Sequence, residues 1–230
     1  MYGGAVKEVM GNPSLGDVVD VIDYKGHLIG KGFYNIHSQY RIRMVVLAHE
    51  PIIDLSMESI LLHRIRNAVQ LRSDLQFPSD TNTAYRLING EGDRLSGLMV
   101  DVFGNRAIVQ SAAAWIEIHQ NVVKQCIEQT LGKDYDIVWR PAEARLKQDG
   151  YNLTSAVNDD QVRGEDTVLV KENNIQFHVN SKNAQKTGFY CDQRDNRALI
   201  GSLSRGKTVL DLYCYSAGFS IYAAKGGATK

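Results

Sequence analysis

The run VLDLYCYSAGFSIYAAKGGATK, from Val209 to Lys230, constrains the fold more than any other stretch of this chain. Its start, residues 208–213, is apolar without clean alternation, the pattern of a strand covered on both faces. A helical pattern then begins at Ala217 and reaches Ala224. Strand, acidic residue, glycine and helix in that order describe the first βα unit of an open α/β sheet. Ligands bind such sheets beyond the carboxyl ends of the strands. Gly218 would let a ligand approach the backbone, and the free amides at the helix start would face it. Asp211 is placed to accept hydrogen bonds from a cationic or hydroxylated cofactor. The pattern equally suits an ordinary βα turn, because one glycine stands where the dinucleotide fingerprint has three.

The rest of the 230 residues bounds what can surround that unit. A chain of this length holds one large domain or two to three small ones. Hydrophobic content of 43% and charged content of 23% are those of a soluble globular protein. No apolar run reaches the ~20 residues of a membrane span. Three cysteines, Cys126, Cys191 and Cys214, without CxxC or CxxH spacing argue against a disulfide framework or a structural zinc site. The formal net charge is zero, so nucleic-acid binding would need local basic patches.

The first fifty residues read as short strands: 18–22 and 28–33 around the turn former Tyr24-Lys25-Gly26, then 42–47. From Ser56, a good N-cap, apolar residues recur at helical spacing: Met57, Ile60, Leu61, Ile65, Ala68, Val69 and Leu75. Arg64, Arg66 and Arg72 alternate with that stripe, either as a solvated helix face or as RNA phosphate contacts. Strands are expected at 85–88, 98–103 and 107–110, the last two joined by Gly104-Asn105. An amphipathic helix over 115–131 ends at Gly132, and a strand over 135–139 follows. Cys126 falls on that helix's apolar side, as core. A hairpin is expected from 168–170 and 175–179 around Glu172-Asn173-Asn174.

Between that hairpin and the terminal unit lies QKTGFYCDQRDNR, residues 185–197, with two aromatics, a glycine and clustered charges. Such a loop can close over a ligand, or its charges can pair among themselves at a helix start. This loop followed by VLDLYCYSAGFS resembles the hallmark of class I S-adenosylmethionine-dependent RNA methyltransferases. More narrowly it is similar to the ribosomal large-subunit RNA cytosine-C5 methyltransferases of the RlmI type. AYRLINGEGDRLSGLMVDVFGN is similar to the middle domain of that family, with Ser96-Gly97 for its Pro-Gly and Val102 for its Arg. The first fifty residues are similar to the later strands of its PUA domain.

The resemblance implies α+β followed by α/β: a partial PUA-like RNA-binding β module (1–50), a middle α+β domain (54–164), and the beginning of a Rossmann-like methyltransferase domain (165–230). It implies S-adenosyl-L-methionine bound near Asp211, Tyr213, Tyr215, Gly218 and Phe219, with Lys186, Thr187, Phe189, Tyr190, Asp192 and Arg194 on a covering loop. In that arrangement Phe189 and Tyr190 wall the pocket, and Arg194 braces Asp192 or the methionine carboxylate. Ribosomal RNA is the implied partner, with Arg41, Arg43, Arg64, Arg66 and Arg72 as candidate contacts. No membrane or metal is expected, the oligomeric state is open (a homodimer included), and the expected location is the cytoplasm, or an organelle if a targeting segment is missing.

Cytosine-C5 methylation in the family proceeds by thiolate addition to C6 of the base. The family's nucleophilic cysteine lies in motifs expected beyond Lys230, and Cys214 does not match that motif. The chain is therefore expected to be a fragment without the catalytic residues and inactive alone, with Val209, Leu210 and Leu212 left showing open backbone edges and apolar faces. The alternative is a non-catalytic RNA-binding protein with a vestigial cofactor domain.

Overall fold

The computed structural model describes residues 1–51, 54–153, 166–180 and 187–230. Strands β1 (Val18–Ile22), β2 (Leu28–Tyr34) and β3 (Ile42–Leu47) form an antiparallel sheet in the order β1-β2-β3. Asp23 fixes the β1–β2 turn, its carboxylate accepting from the amides of Lys25 and His27 at 2.8 and 2.9 Å. Asp and Asn suit such turns because the short carboxylate or amide reaches the backbone two residues on.

Helix α1 (Met57–Asp74) starts at Ser56, whose hydroxyl accepts from the Ser59 amide as the sequence suggests. Next come β4 (Ala84–Asn89), β5 (Leu98–Phe103) and β6 (Arg106–Ser111), antiparallel in succession. The expected single helix over 115–131 is two: α2 (Ala114–Ile118) and α3 (Gln120–Leu131), meeting at His119. His119 leaves helical geometry there, and its Nε2 lies 2.9 Å from the Gly16 carbonyl oxygen, so a tertiary contact takes hold at the break. The helices carry the chain across to β7 (Asp136–Pro141), which pairs parallel with β6. Helix α4 (Glu143–Gln148) follows, an element the sequence reading did not foresee.

Both faces of the β4-β5-β6-β7 sheet are buried. Val100, Val102, Ala107, Val109 and Trp139 point into one cluster with α1, α3 and the N-terminal residues Phe33, Val45 and Val46. The intervening Phe103, Ile108 and Val138 point into a second cluster on the opposite face. Two buried faces explain why β5 and β6 read as nearly continuous apolar runs. The second face is covered by the hairpin β8 (Thr167–Glu172) and β9 (Ile175–Asn180), with Phe189 and Tyr222. Asn173 and Asn174 at the hairpin tip adopt φ of 49° and 62°, the paired left-handed geometry of a tight two-residue turn. Amide and carbonyl groups of residues 171–174 bond to residues 81–83, fixing the hairpin to the middle sheet.

The N-terminal sheet is joined to the middle sheet as firmly. The Phe33 ring stacks on Trp115 with centroids 4.1 Å apart, and Arg43 pairs with the buried Asp149 at 2.9 Å. Asn35 donates to the Asp149 carbonyl oxygen. The sequence-based boundaries at 50/54 and 164/165 touch residues 52–53 and 154–165, which lie outside the described residues.

Candidate functional site

Helices α5 (Arg194–Leu203) and α6 (Gly218–Lys225) pack against each other through glycines. A Cβ on Gly226, just past α6, would come within 1.9 Å of the Gly201 carbonyl oxygen. The strand expected over 208–213 is not formed; those residues run extended or turn, and Leu210 and Leu212 are exposed as anticipated, whereas Val209, expected open with them, is half-buried and its amide is bonded. A strand needs a neighbour on at least one edge for its N–H and C=O groups. Here pairing starts only at its beginning. Gly206 N donates to Gly227 O, Thr229 N to Lys207 O and Val209 N to Lys230 O, so 206–209 and 227–230 run side by side in one direction. This is a parallel crossover through α6.

Asp211 is tied to the first turn of α6. Its Oδ2 accepts from the Ser220 amide at 3.2 Å and the Ser220 hydroxyl at 2.8 Å, while Oδ1 accepts no bond from the described residues. Between Asp211 and the helix, Tyr213, Tyr215 and Ala217 adopt left-handed φ of 59°, 49° and 55°. Non-glycine residues seldom do so, and such conformations gather at ligand-holding loops. Tyr213 is wholly exposed, and Phe219 is half-buried at the helix start. The absence of a side chain at Gly218 serves an internal neighbour: a Cβ would meet Arg197 Cδ at 2.8 Å. The close approach foreseen for a ligand is thus occupied by an arginine of the chain itself.

The covering-loop residues divide. Lys186 lies outside the described residues. Thr187 is buried, its hydroxyl donating to Asp101 Oδ2. Asp101 is also held by Arg86 through Nε at 2.8 Å and Nη2 at 2.9 Å. Phe189 is buried against Phe177 and carries the Arg197 guanidinium 4.7 Å from its centroid. Arg197 makes a bidentate, buried pair with Glu172 at 2.7 and 2.6 Å and donates to the Tyr190 carbonyl oxygen. Arg194 makes no hydrogen bond to Asp192 among the described residues. Its Nε pairs with Asp195 at 3.0 Å, and its guanidinium lies 4.5 Å from the Phe77 centroid.

Two contacts bring the segments together. Tyr215 donates its hydroxyl to the Gly188 carbonyl oxygen at 3.2 Å, and its ring meets Tyr190 edge-on at 5.2 Å. Tyr190, Asp192 and Arg194 also line a groove of about 360 Å³ with Leu71, Leu75, Phe77 and Arg86 of the middle region; no residue of 211–219 lines it, although Tyr215 touches its wall at Tyr190. Cys191 is no candidate nucleophile: burial, reinforced by the Asp101 and Glu172 carboxylates, pushes its thiol far above the usual range. Burial likewise pushes Cys126 up to about 11.

Most of the arginine set is engaged inside the molecule, and Arg66 lies on a solvated helix face as one sequence expectation had it. Arg64 is buried, donating to the Val45 carbonyl oxygen and to Glu50. Arg72 makes a bidentate pair with Asp93 and donates to the Arg86 carbonyl oxygen. Arg43 holds Asp149 and Ser96, and Arg41 donates to the Ile36 carbonyl oxygen. Arg66 alone of the five is exposed. Sequence reasoning missed Asp101 and Glu172, which organise the loop. The one available signal was an acid inside an apolar strand, LMVDVF. Among the described residues no group of three His, Cys, Asp or Glu side chains is placed to hold a metal, and no helix is long and apolar enough to cross a membrane.

A small β module fused to an α+β sheet, followed by a parallel crossover with a left-handed loop, is the architecture of a mixed chain that ends in the opening βα unit of an α/β sheet. Residues 1–46 match the family model of a PUA-like domain, and residues 125–230 match that of an S-adenosylmethionine-dependent methyltransferase. More particularly, the chain is similar to proteins named ribosomal RNA large subunit methyltransferase I. It is 35% identical to that of Alteromonas mediterranea over 99% of this chain and 56% of the relative. It is 30% identical to that of Tolumonas auensis over the same shares. The chain therefore spans a little over half the length of these relatives.

Among solved structures, a Streptococcus mutans protein described as a candidate SAM-dependent methyltransferase aligns with TM-score 0.74 at 21% identity, covering 95% of this chain and 55% of that one. A second, described as complexed with SAH, aligns with TM-score 0.73 at 21% identity, over 93% and 53%. At that identity the likeness speaks for the fold.

Proposed function

We infer that this chain binds S-adenosylmethionine and, in a protein of its relatives' length, serves methyl transfer to a base of large-subunit ribosomal RNA. Cytosine C5 is the acceptor implied by the family resemblance. The observation that carries this reading is the loop from Asp211 to Phe219, set in a segment matching the methyltransferase family. Its residues suit the cofactor's chemistry. Asp211 Oδ1 is left to accept from an ammonium or ribose hydroxyl because Oδ2 is committed to Ser220. The start of α6 offers a partial positive charge to a carboxylate. The exposed Tyr213 ring offers an adenine a stacking face.

Bound there, the cofactor supplies an electrophilic methyl group. The chain's own contribution is to hold and orient it: Tyr215 ties the loop to Gly188, and Thr187 ties the covering segment to Asp101 in the rigid middle sheet. Such bracing keeps a reactive group in one geometry, which is where enzymes gain much of their advantage. The RNA partner is supported by the PUA-like match at 1–46 and by similarity to rRNA methyltransferases along nearly the whole chain.

The test is isothermal titration of the chain with S-adenosylhomocysteine. Saturable binding is expected, weakened about tenfold or more by Asp211→Ala, the loss of one charge-assisted hydrogen bond. Absence of binding, or equal affinity in the variant, would remove the reading.

A further inference from the structure

The groove between α1, β4 and the start of α5 is distinct from the loop at 211–219, and no residue of that loop lines it. Its volume of about 360 Å³ is at the small end of the ~300–1,000 Å³ typical of small-molecule sites, room for one nucleotide and not for a folded strand.

The walls suit a flat heterocycle. Tyr85 and Phe77 stack with centroids 5.8 Å apart and planes 20° from parallel, and the Arg194 guanidinium lies over Phe77. Arg194 is held by its contact with Phe77 and by a pair with the exposed Asp195, a weak restraint that lets it adjust to an incoming ring. Unpaired bases commonly stack on guanidinium planes and aromatic rings. Hydrogen-bonding groups are present on the same wall. Arg86 spends Nε and Nη2 on Asp101, which leaves Nη1 as a donor held in place by a buried carboxylate. Asp192 is exposed and lines the groove as an acceptor. Leu71 and Leu75, both exposed, form an apolar rim that a base or ribose would cover.

The geometry points to this groove as the seat of one unpaired nucleotide of the RNA substrate, its base against Arg194 and the Phe77–Tyr85 stack and its polar edge shared by Arg86 and Asp192. This assignment rests on the RNA reading above. It moves the RNA contact to Arg86 and to Arg194, which the sequence placed on the covering loop, while Arg43, Arg64 and Arg72 (the last also in the groove wall) are committed to internal carboxylates.

The experiment titrates the whole chain with a short fluorescein-labelled single-stranded oligoribonucleotide and, in parallel, with S-adenosylhomocysteine. Arg194→Ala removes the stacking plane. Leu75→Glu sets a carboxylate on the exposed rim, and thermal melting checks that both variants fold. Each should weaken the oligonucleotide by about fivefold or more, and Leu75→Glu should leave S-adenosylhomocysteine affinity unchanged. Wild-type oligonucleotide affinity in both variants overturns the assignment while leaving RNA binding intact. Displacement of the oligonucleotide by S-adenosylhomocysteine overturns it too, because the groove would then belong to the cofactor. If no oligonucleotide binds, the assignment and the RNA reading fall together, and the cofactor titration still stands by itself.

Discussion

Arg197 and Glu172 meet where the hairpin, the covering segment and α6 converge, and both side chains are buried. Arg197 reaches further: it lies over Phe189, bonds the Tyr190 carbonyl oxygen, and fills the space that Gly218 leaves. A buried pair contributes little net stability as a pair, but removing one partner strands the other charge in a poorly hydrated site. Arg197→Ala should therefore destabilise the protein by roughly 3–5 kcal/mol in urea denaturation; a loss under about 1 kcal/mol would mean the pair does not hold this junction. The sequence displayed Arg197 in the charge-rich run QKTGFYCDQRDNR, yet its partner sits in a hairpin turn twenty-five residues earlier. Nothing local marks that pairing. The same holds for Arg64 and Arg72, whose carboxylates come from a loop before the helix and a turn after β4.

At the scale of elements, α5 and α6 depend on backbone contact at Gly201 and Gly226. Gly226 has φ of −75°, so the requirement is for space and not for a left-handed backbone. Its Cβ would sit 1.9 Å from the Gly201 oxygen, and neither backbone can yield as a flexible side chain would. Gly226→Ala should prise the helices apart and cost about 1–3 kcal/mol. Hydrogen exchange should show faster amide exchange across 218–230, and unchanged protection there would refute the close-contact account. Most elements were legible in the sequence because their signals are local. The strands 18–22 and 42–47 agree to the residue with those formed, as does the Ser56 cap. The failures have a common cause. The strand expected over 208–213 lacks the neighbours that its apolar faces call for, and the helix break at His119 depends on a contact with Gly16.

Over the whole molecule, two hydrophobic clusters cross the boundaries that the family resemblance implies. One joins Phe33, Val45 and Val46 of the N-terminal sheet to α1, α3 and the middle sheet. The other joins that sheet to Val170, Phe177, Phe189 and Tyr222. Elements sharing a core should unfold together. Tryptophan fluorescence, which reports Trp115 and Trp139, and far-UV circular dichroism should give one guanidinium midpoint; separate transitions would show independently folding pieces.

By itself, the amino-acid sequence determined most of the elements, their order and a family resemblance, because periodicity, caps and short motifs act over a few residues. It also supplied the loop residues that suit a cofactor. Only the tertiary structure decided which charges are free and which are spent. Arg43, Arg64, Arg72 and Arg197 look alike in sequence as surface cations, yet each is consumed by a carboxylate distant in the chain. A buried charge must find an opposite partner or pay heavily for lost hydration. Which partner it finds is set by how the sheets and helices stack, a property of the whole chain and of no single stretch of it.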